Sequence, residues 1–240
     1  EQLEEMKSSA SGRYLYDTEH PYENGVPEGY NTWEDWWRSS VTEFVKTLQD
    51  SVKAEKPWVK LSAAVLGRYN WGSWQGYGDV FQDAALWFNE GYVDQLMPMH
   101  YHWKTGRDFY NMLSGEGTEN WGHWLTQGIL EKRLYSVGPG SYTFETEEEW
   151  NQHPEIVHAC RQISWVDGFQ FFAYTQWADN NYWAEAGSTF FQQKTKIRPL
   201  GEITHSAPGT PSLTIEKIDS LTYGLKINPC YTIANSDFPD

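Results

Sequence analysis
The chain has 240 residues, with 33 acidic against 18 basic side chains and a net charge of −15, a length that holds one large domain or a medium domain plus a fragment. Its 14 Trp, 15 Tyr and 11 Phe exclude a disordered chain, which lacks the groups that drive burial, and no apolar run approaches the roughly 18 residues that a membrane span needs. The acidic balance argues against nucleic acid or an anionic membrane as partner, and many aromatics with little Lys suit a neutral, hydroxyl-rich ligand.

Residues 1–30 carry turn residues (Gly12, Pro21, Gly25, Pro27, Gly29) and read as a long loop. Thr32-Trp33-Glu34-Asp35 is a helix-opening signature. The helix it opens is expected to turn Trp37, Val41, Phe44, Leu48 and Val52 inward and to stop at Pro57. Val59–Leu66 reads as a buried strand closed by Gly67. Asp79 is expected to cap a second helix with Phe81, Ala84, Ala85 and Phe88 inward and Gly91 as its stop. Val93–Met99 is a second strand. A loop holding Gly106, Gly115 and Gly117 then leads to a third helix near Asn120–Leu130. Arg133–Val137 is a third strand, followed by a turn at Gly138-Pro139-Gly140. Thr146-Glu147-Glu148-Glu149 is a second capping box, and Pro154 restarts a helix carrying Ile156, Val157, Cys160 and Ile163. Phe169–Tyr174 is a fourth strand and Trp183–Lys194 a last helix.

Strand starts at 59, 93, 133 and 169, each followed by helix, describe β/α units on a parallel sheet. From Ala207 the pattern changes. Pro208, Gly209 and Pro211 form a linker, and the stretches at 213–218 and 223–227 alternate at period two as an antiparallel hairpin. The expected boundary falls at 203/204, with a partial β/α barrel before it and an incomplete β module after it. Cys160 and Cys230 show no metal-type spacing and read as two free thiols, with one disulfide as the alternative. A start at Glu1 with no Met and no apolar leader fits a processed secreted chain or a trimmed one.

Aromatic and polar groups crowd the strand ends: Arg68, Tyr69, Trp71 and Trp74 after the first, and His100, Tyr101, His102 and Trp103 after the second. Tyr142 follows the third, and Tyr174, Gln176, Trp177 and Asp179 close the fourth. In β/α barrels the loops at the carboxyl ends of the strands build the site. Aromatic faces stack on sugar rings while amide and imidazole groups bond hydroxyls, so these loops read as a carbohydrate groove. The expected ligand-binding residues are Tyr101, Trp103, Arg38, Trp71, Trp74, Gln176 and Trp177. His100 and Asp179 are the expected catalytic groups, Asp179 as the best-placed acid. Arg38 either clamps a carboxylate or pairs with Asp35 three residues back. Asp17 and Glu19 are further acids that could reach the groove. Asp94 begins its strand, at the end of the sheet remote from such a site, and reads as structural. No cofactor fingerprint occurs, and His100 and His102 lack the neighbouring acid that a metal site would use.

The segments Trp36-Trp37-Arg38-Ser39-Ser40-Val41-Thr42-Glu43-Phe44-Val45, Lys56-Pro57-Trp58-Val59-Lys60-Leu61-Ser62 and Glu90-Gly91-Tyr92-Val93-Asp94-Gln95-Leu96-Met97-Pro98-Met99-His100-Tyr101 resemble the bacterial glycosyl-hydrolase-like ten family. The likeness runs over about residues 33–180. Arg38-Ser39 stands where the family pairs two arginines, and Met99-His100-Tyr101-His102-Trp103 where it has Q-x-Y-W. The resemblance implies strands five to eight of a (β/α)8 barrel, with strands one to four and a principal acid upstream of Glu1. It also implies a fibronectin-III-like start after Pro208, a glycosidase acting on a polysaccharide, and a secreted or cell-surface lipoprotein. The alternatives are a non-catalytic carbohydrate-binding protein and a structural fragment. An open half barrel exposes two sheet edges, so self-association is expected.

Overall fold
The computed structural model describes residues 25–195, 212–217 and 223–228; the expectations for Asp17, Glu19, the 207–211 linker and Cys230 lie outside them. The chain divides into two compact units, Glu1–Gly201 and Glu202–Asp240.

Helix α1, Trp33–Glu55, starts where the capping signal places it: the Thr32 hydroxyl accepts from the Asp35 amide. Its buried face is not the expected one. Phe44 and Leu48 are exposed, whereas Trp36, Arg38 and Gln49 are buried. The inward stripe includes polar residues that bond across to the next units: Thr42 accepts from the Trp87 indole at 2.9 Å, and the Gln49 amide nitrogen donates to the Gly91 carbonyl at 3.3 Å, while the Gln49 Oε1 is buried without a partner among the described residues. The 3.6-residue period was legible; its phase was set by hydrogen bonds that apolar patterning does not register.

After β1 (Ser62–Ala63) come α2 (Gly76–Asp79) and α3 (Ala84–Glu90). Asp83, not Asp79, caps α3, its carboxylate accepting from the Leu86 amide, while Asp79 ends α2. Phe81 stands before the cap with φ 58°. Ala84, Ala85, Trp87 and Phe88 are buried, and Gly91 ends α3 in the left-handed conformation that glycine accepts most readily. The expected second strand is two short pieces, β2 (Gln95–Leu96) and β3 (Met99–His100), because Pro98 between them has no N–H to donate to a ladder. The glycine-marked loop after it contains a helix, α4 (Gly106–Ser114), capped by Thr105. The expected third helix divides into α5 (Trp121–Trp124) and α6 (Thr126–Leu130). Strand β4 is Leu134–Pro139, so Gly138-Pro139 ends the strand instead of turning. Thr146 and Glu149 form the full capping box of α7 (Glu147–Trp150), and α8 (His153–Arg161) follows with Pro154 in its first turn. The last elements of this unit are β5 (Gly168–Phe169), α9 (Tyr174–Asp179) and α10 (Trp183–Ser188). The fourth strand is thus shorter than expected, and Tyr174–Asp179 is helix.

All sheet pairings in this unit are parallel: β1 with β2, β2 and β3 with β4, and β4 with β5. The ladder continues past the formal strand ends, with the Met99 amide donating to the Val65 carbonyl and the Phe172 amide to Pro139. Strand position follows chain order, with β2 and β3 as successive parts of one line. A doubly wound sheet would reverse direction at its switch point. This α/β arrangement is consistent with part of a TIM-barrel-like fold. Its core includes Phe88 of α3, Phe109 and Leu113 of α4, Trp121 of α5, and Ile156, Val157 and Cys160 of α8. Cys160 is a buried free thiol whose pKa burial pushes up to about 12. In the second unit, β6 (Ser212–Lys217) and β7 (Tyr223–Asn228) pair antiparallel from Ser212↔Asn228 to Lys217↔Tyr223.

Candidate functional site
The carboxyl ends of β1 and β3 lead into two loops that bound a groove of about 990 Å³. Gly67 makes the first loop possible: a Cβ there would strike the Met99 carbonyl oxygen, so only glycine lets the neighbouring strands approach. The Gly67 carbonyl accepts from the Trp121 indole at 2.9 Å, and Gly76 and Tyr77 return amide bonds to Arg68 and Tyr69. The loop is therefore held at its base. Trp71 packs edge-on against Trp121 at 5.5 Å and lines the groove. Trp103 of the second loop lines it too, with the Arg68 guanidinium 5.2 Å from its ring centre. Asp108, Asn111, Glu116 and Glu119 stand along the same groove. Asp108 is fixed by α4: the Thr105 hydroxyl donates to its carboxylate at 2.6 Å.

A second aromatic group lies at the ends of the later strands. Tyr101 stacks on Phe172 at 5.4 Å, and Tyr142 meets both edge-on. Tyr142 and Phe172 are about half exposed. Partial burial and the neighbouring Tyr142 raise the Tyr101 pKa. Lys104 ties the second loop to the third, donating to the Thr143 carbonyl and the Glu149 carboxylate, both at 2.7 Å.

Other expected site residues stand elsewhere. His100 is fully buried among Phe109, Trp121 and Tyr135. Its Nδ1 accepts from the Gly138 amide, so the neutral ring carries its proton on Nε2 and donates to the Tyr135 hydroxyl at 3.1 Å. Burial pushes its pKa down to about 3. The imidazole fastens β3 to β4 and does not face the groove; its neighbour Tyr101 is the partly exposed one. Trp177 is also buried, donating to the Ser141 hydroxyl at 2.9 Å. Arg38 pairs with Asp35 at 3.0 Å, donates to the Tyr77 carbonyl and lies over the Tyr77 ring at 3.6 Å, so it clamps its own chain. Trp74 is exposed on the first loop. Gln176 and Asp179 lie on α9, with Asp179 at its exposed end. Asp94 accepts from the Leu61 amide and pairs with Lys53 at 2.7 Å, the structural role its position implied.

Ser141 and His153 have the outline of a nucleophile and base. The Ser141 hydroxyl donates to His153 Nε2 at 2.8 Å, while Nδ1–H donates to the Trp150 carbonyl at 2.8 Å. Both residues are wholly enclosed, and burial pushes the His153 pKa down to about 4. The relay from Trp177 through Ser141 and His153 to Trp150 satisfies buried polar atoms. Among the described residues no carboxylate is buried.

Sequence reasoning did not single out Asp108, Glu116, Glu119 or Phe172. The Thr105-x-x-Asp108 spacing is itself a capping signal and would have exposed α4 and its acid.

A parallel α/β sheet with a groove at the carboxyl ends of its strands is the arrangement in which TIM-barrel-like proteins build their sites. The family model "Glycosyl hydrolase-like 10" matches residues 6–120. The chain is also similar to "Glycosyl hydrolase YngK" of Bacillus subtilis (strain 168), 24% identical over 211 residues, which is 80% of this chain and 40% of that protein. The chain is thus similar to glycosyl-hydrolase-like proteins, to the family model over residues 6–120 and to the Bacillus protein over most of its own length. It spans about two fifths of the length of the relative it matches.

Proposed function
We propose that the Trp71–Trp103 groove binds a saccharide chain and that the reaction it serves is hydrolysis of glycosidic bonds. The supporting observation is an open groove of about 990 Å³, lined by two indoles and several polar groups, at the carboxyl ends of parallel strands. The volume is that of a ligand site, and indole faces complement the C–H faces of sugar rings. On this reading the parallel units are strands five to eight of an eight-stranded barrel. Tyr101, Tyr142 and Phe172 continue the stacking surface beyond the groove, and the hairpin at 212–228 belongs to a fibronectin-III-like module. Substrate contact passes from His100, Trp177 and Arg38 to Trp71, Trp103 and Tyr101.

Hydrolysis requires two carboxylates, one of them kept protonated by its surroundings. The absence of any buried carboxylate among the described residues supports a second reading, a saccharide-binding wall without chemistry of its own. One experiment tests both. The 240-residue chain is titrated calorimetrically against a panel of soluble polysaccharides, and the same mixtures are assayed for new reducing ends. Binding that Trp103→Ala weakens about tenfold, the scale of one lost aromatic stack, supports the groove; no binding across the panel refutes it. Reducing ends separate the hydrolase from the binding wall.

A further inference from the structure
We infer that Arg68 is a carboxylate-recognising subsite within the groove, so that the saccharide bound there carries an acidic group, as a uronic acid does. The inference rests on the saccharide-binding reading and adds the substrate's charge to it. Arg68 follows the first strand, and its backbone carbonyl is bonded by the Gly76 amide at 2.9 Å, so its origin is fixed. Its side chain is held on two sides. Gly72 turns at φ +75° so closely against it that a Cβ there would lie 3.0 Å from Arg68 Cδ. The Trp103 ring faces the guanidinium at 5.2 Å. Stacking of this kind orients the guanidinium while leaving its N–H edge able to donate.

The charge remains uncompensated. Arg38 and Arg133 each pair with an acid, Asp35 and Glu131. Arg68 has no carboxylate within ion-pair distance among the described residues, although Asp108, Glu116 and Glu119 line the same groove. A partly buried, pre-oriented guanidinium without a counter-ion, in a chain of net charge −15, is a receptor for a planar bidentate acceptor. The groove acids repel a carboxylate placed anywhere else, so they select the position of the charge as well as its presence.

The test compares three probes on the whole chain: glucuronosyl-β-1,4-glucose, its uronamide, and cellobiose. Calorimetry is expected to give about tenfold tighter binding of the acid than of either neutral disaccharide, the scale of one charge-assisted bidentate contact. In Arg68→Met, which keeps the stem over Trp103, that preference falls below about twofold, and Arg68→Lys restores part of it. The uronamide reads the same contact without altering the protein. Equal affinity for all three probes overturns the Arg68 assignment and leaves saccharide binding standing, as does a preference that survives in Arg68→Met. Failure of every probe to bind overturns both. Displacement of the acid by acetate at equal concentration overturns the sugar-borne source of the carboxylate.

Discussion
The groove and the sealed layer of the core contain the same residue types. Trp71, Trp103 and Arg68 stand around open volume, while Trp121, Trp177, His100 and His153 are sealed. The contrast is sharpest between neighbours: His100 is enclosed and fastens two strands, and Tyr101 stands partly open beside Phe172. His100 is the last residue of β3 and Tyr101 the first of the turn beyond it, so one position along the chain separates a structural group from a candidate ligand contact. Residue chemistry narrows the choice, and position relative to the strand end makes it.

The sealed layer should respond most strongly to substitution. His153→Ala should cost about 3 kcal/mol, because it removes a packed ring and leaves the Ser141 hydroxyl and Trp150 carbonyl short of partners. Urea denaturation measures this, and a loss under about 1 kcal/mol would mean the layer is not a structural unit.

Acid should act on the same groups. His100 and His153 titrate near 3 and 4 in the folded chain against 6.5 when exposed. Between pH 6.5 and about 4 the unfolded chain therefore binds protons that the folded chain refuses. Stability falls as pH falls through that window, by up to about 1.4 kcal/mol per pH unit for each imidazole. Denaturation midpoints at pH 7, 6, 5 and 4.5 read the slope, and His153→Gln should flatten it. A flat profile in the parent chain would show that the two rings take up protons while folded.

In the groove the expected effects are on binding. Trp103→Ala should weaken saccharide binding about tenfold, or by about 1.4 kcal/mol, whereas His153→Gln, in the sealed layer, should leave affinity unchanged once folded. Equal losses from the two variants would erase the distinction between wall and layer. The smallest effect belongs to Asp179→Asn at the exposed end of α9: a stability change within about 0.5 kcal/mol and no change in saccharide affinity, checked by the same denaturation and calorimetry.

Much of the fold was legible. Expected strand starts at 59, 93, 133 and 169 meet observed ones at 62, 95, 134 and 168, because short apolar runs between helical stretches leave a parallel sheet little choice. Thr32, Thr146 and Gly91 mark helix ends as capping chemistry requires. What escaped depended on contacts distant in sequence. The phase of α1 follows from Thr42 meeting Trp87 and Gln49 meeting Gly91, 45 and 42 residues away. His100 was misplaced because its partners, Gly138 and Tyr135, belong to the next strand. Arg38 was open to two readings, and its own-helix pairing with Asp35 prevailed. The groove was visible through Trp71 and Trp103, but its acids were hidden in a stretch whose glycines suggested loop.

Cys160 gives this molecule a built-in clock. With its pKa near 12, only about one thiol in ten thousand is ionised at pH 8, and the packed face of α8 shields that fraction from reagents. Alkylation at this position has to wait for the sheet–helix layer to come apart, so its rate, followed peptide by peptide in a mass spectrometer, reports how often the core opens. Saccharide in the groove should slow that rate by the factor with which it stabilises the closed state, turning one silent sulfur into a readout of occupancy that needs no catalytic turnover.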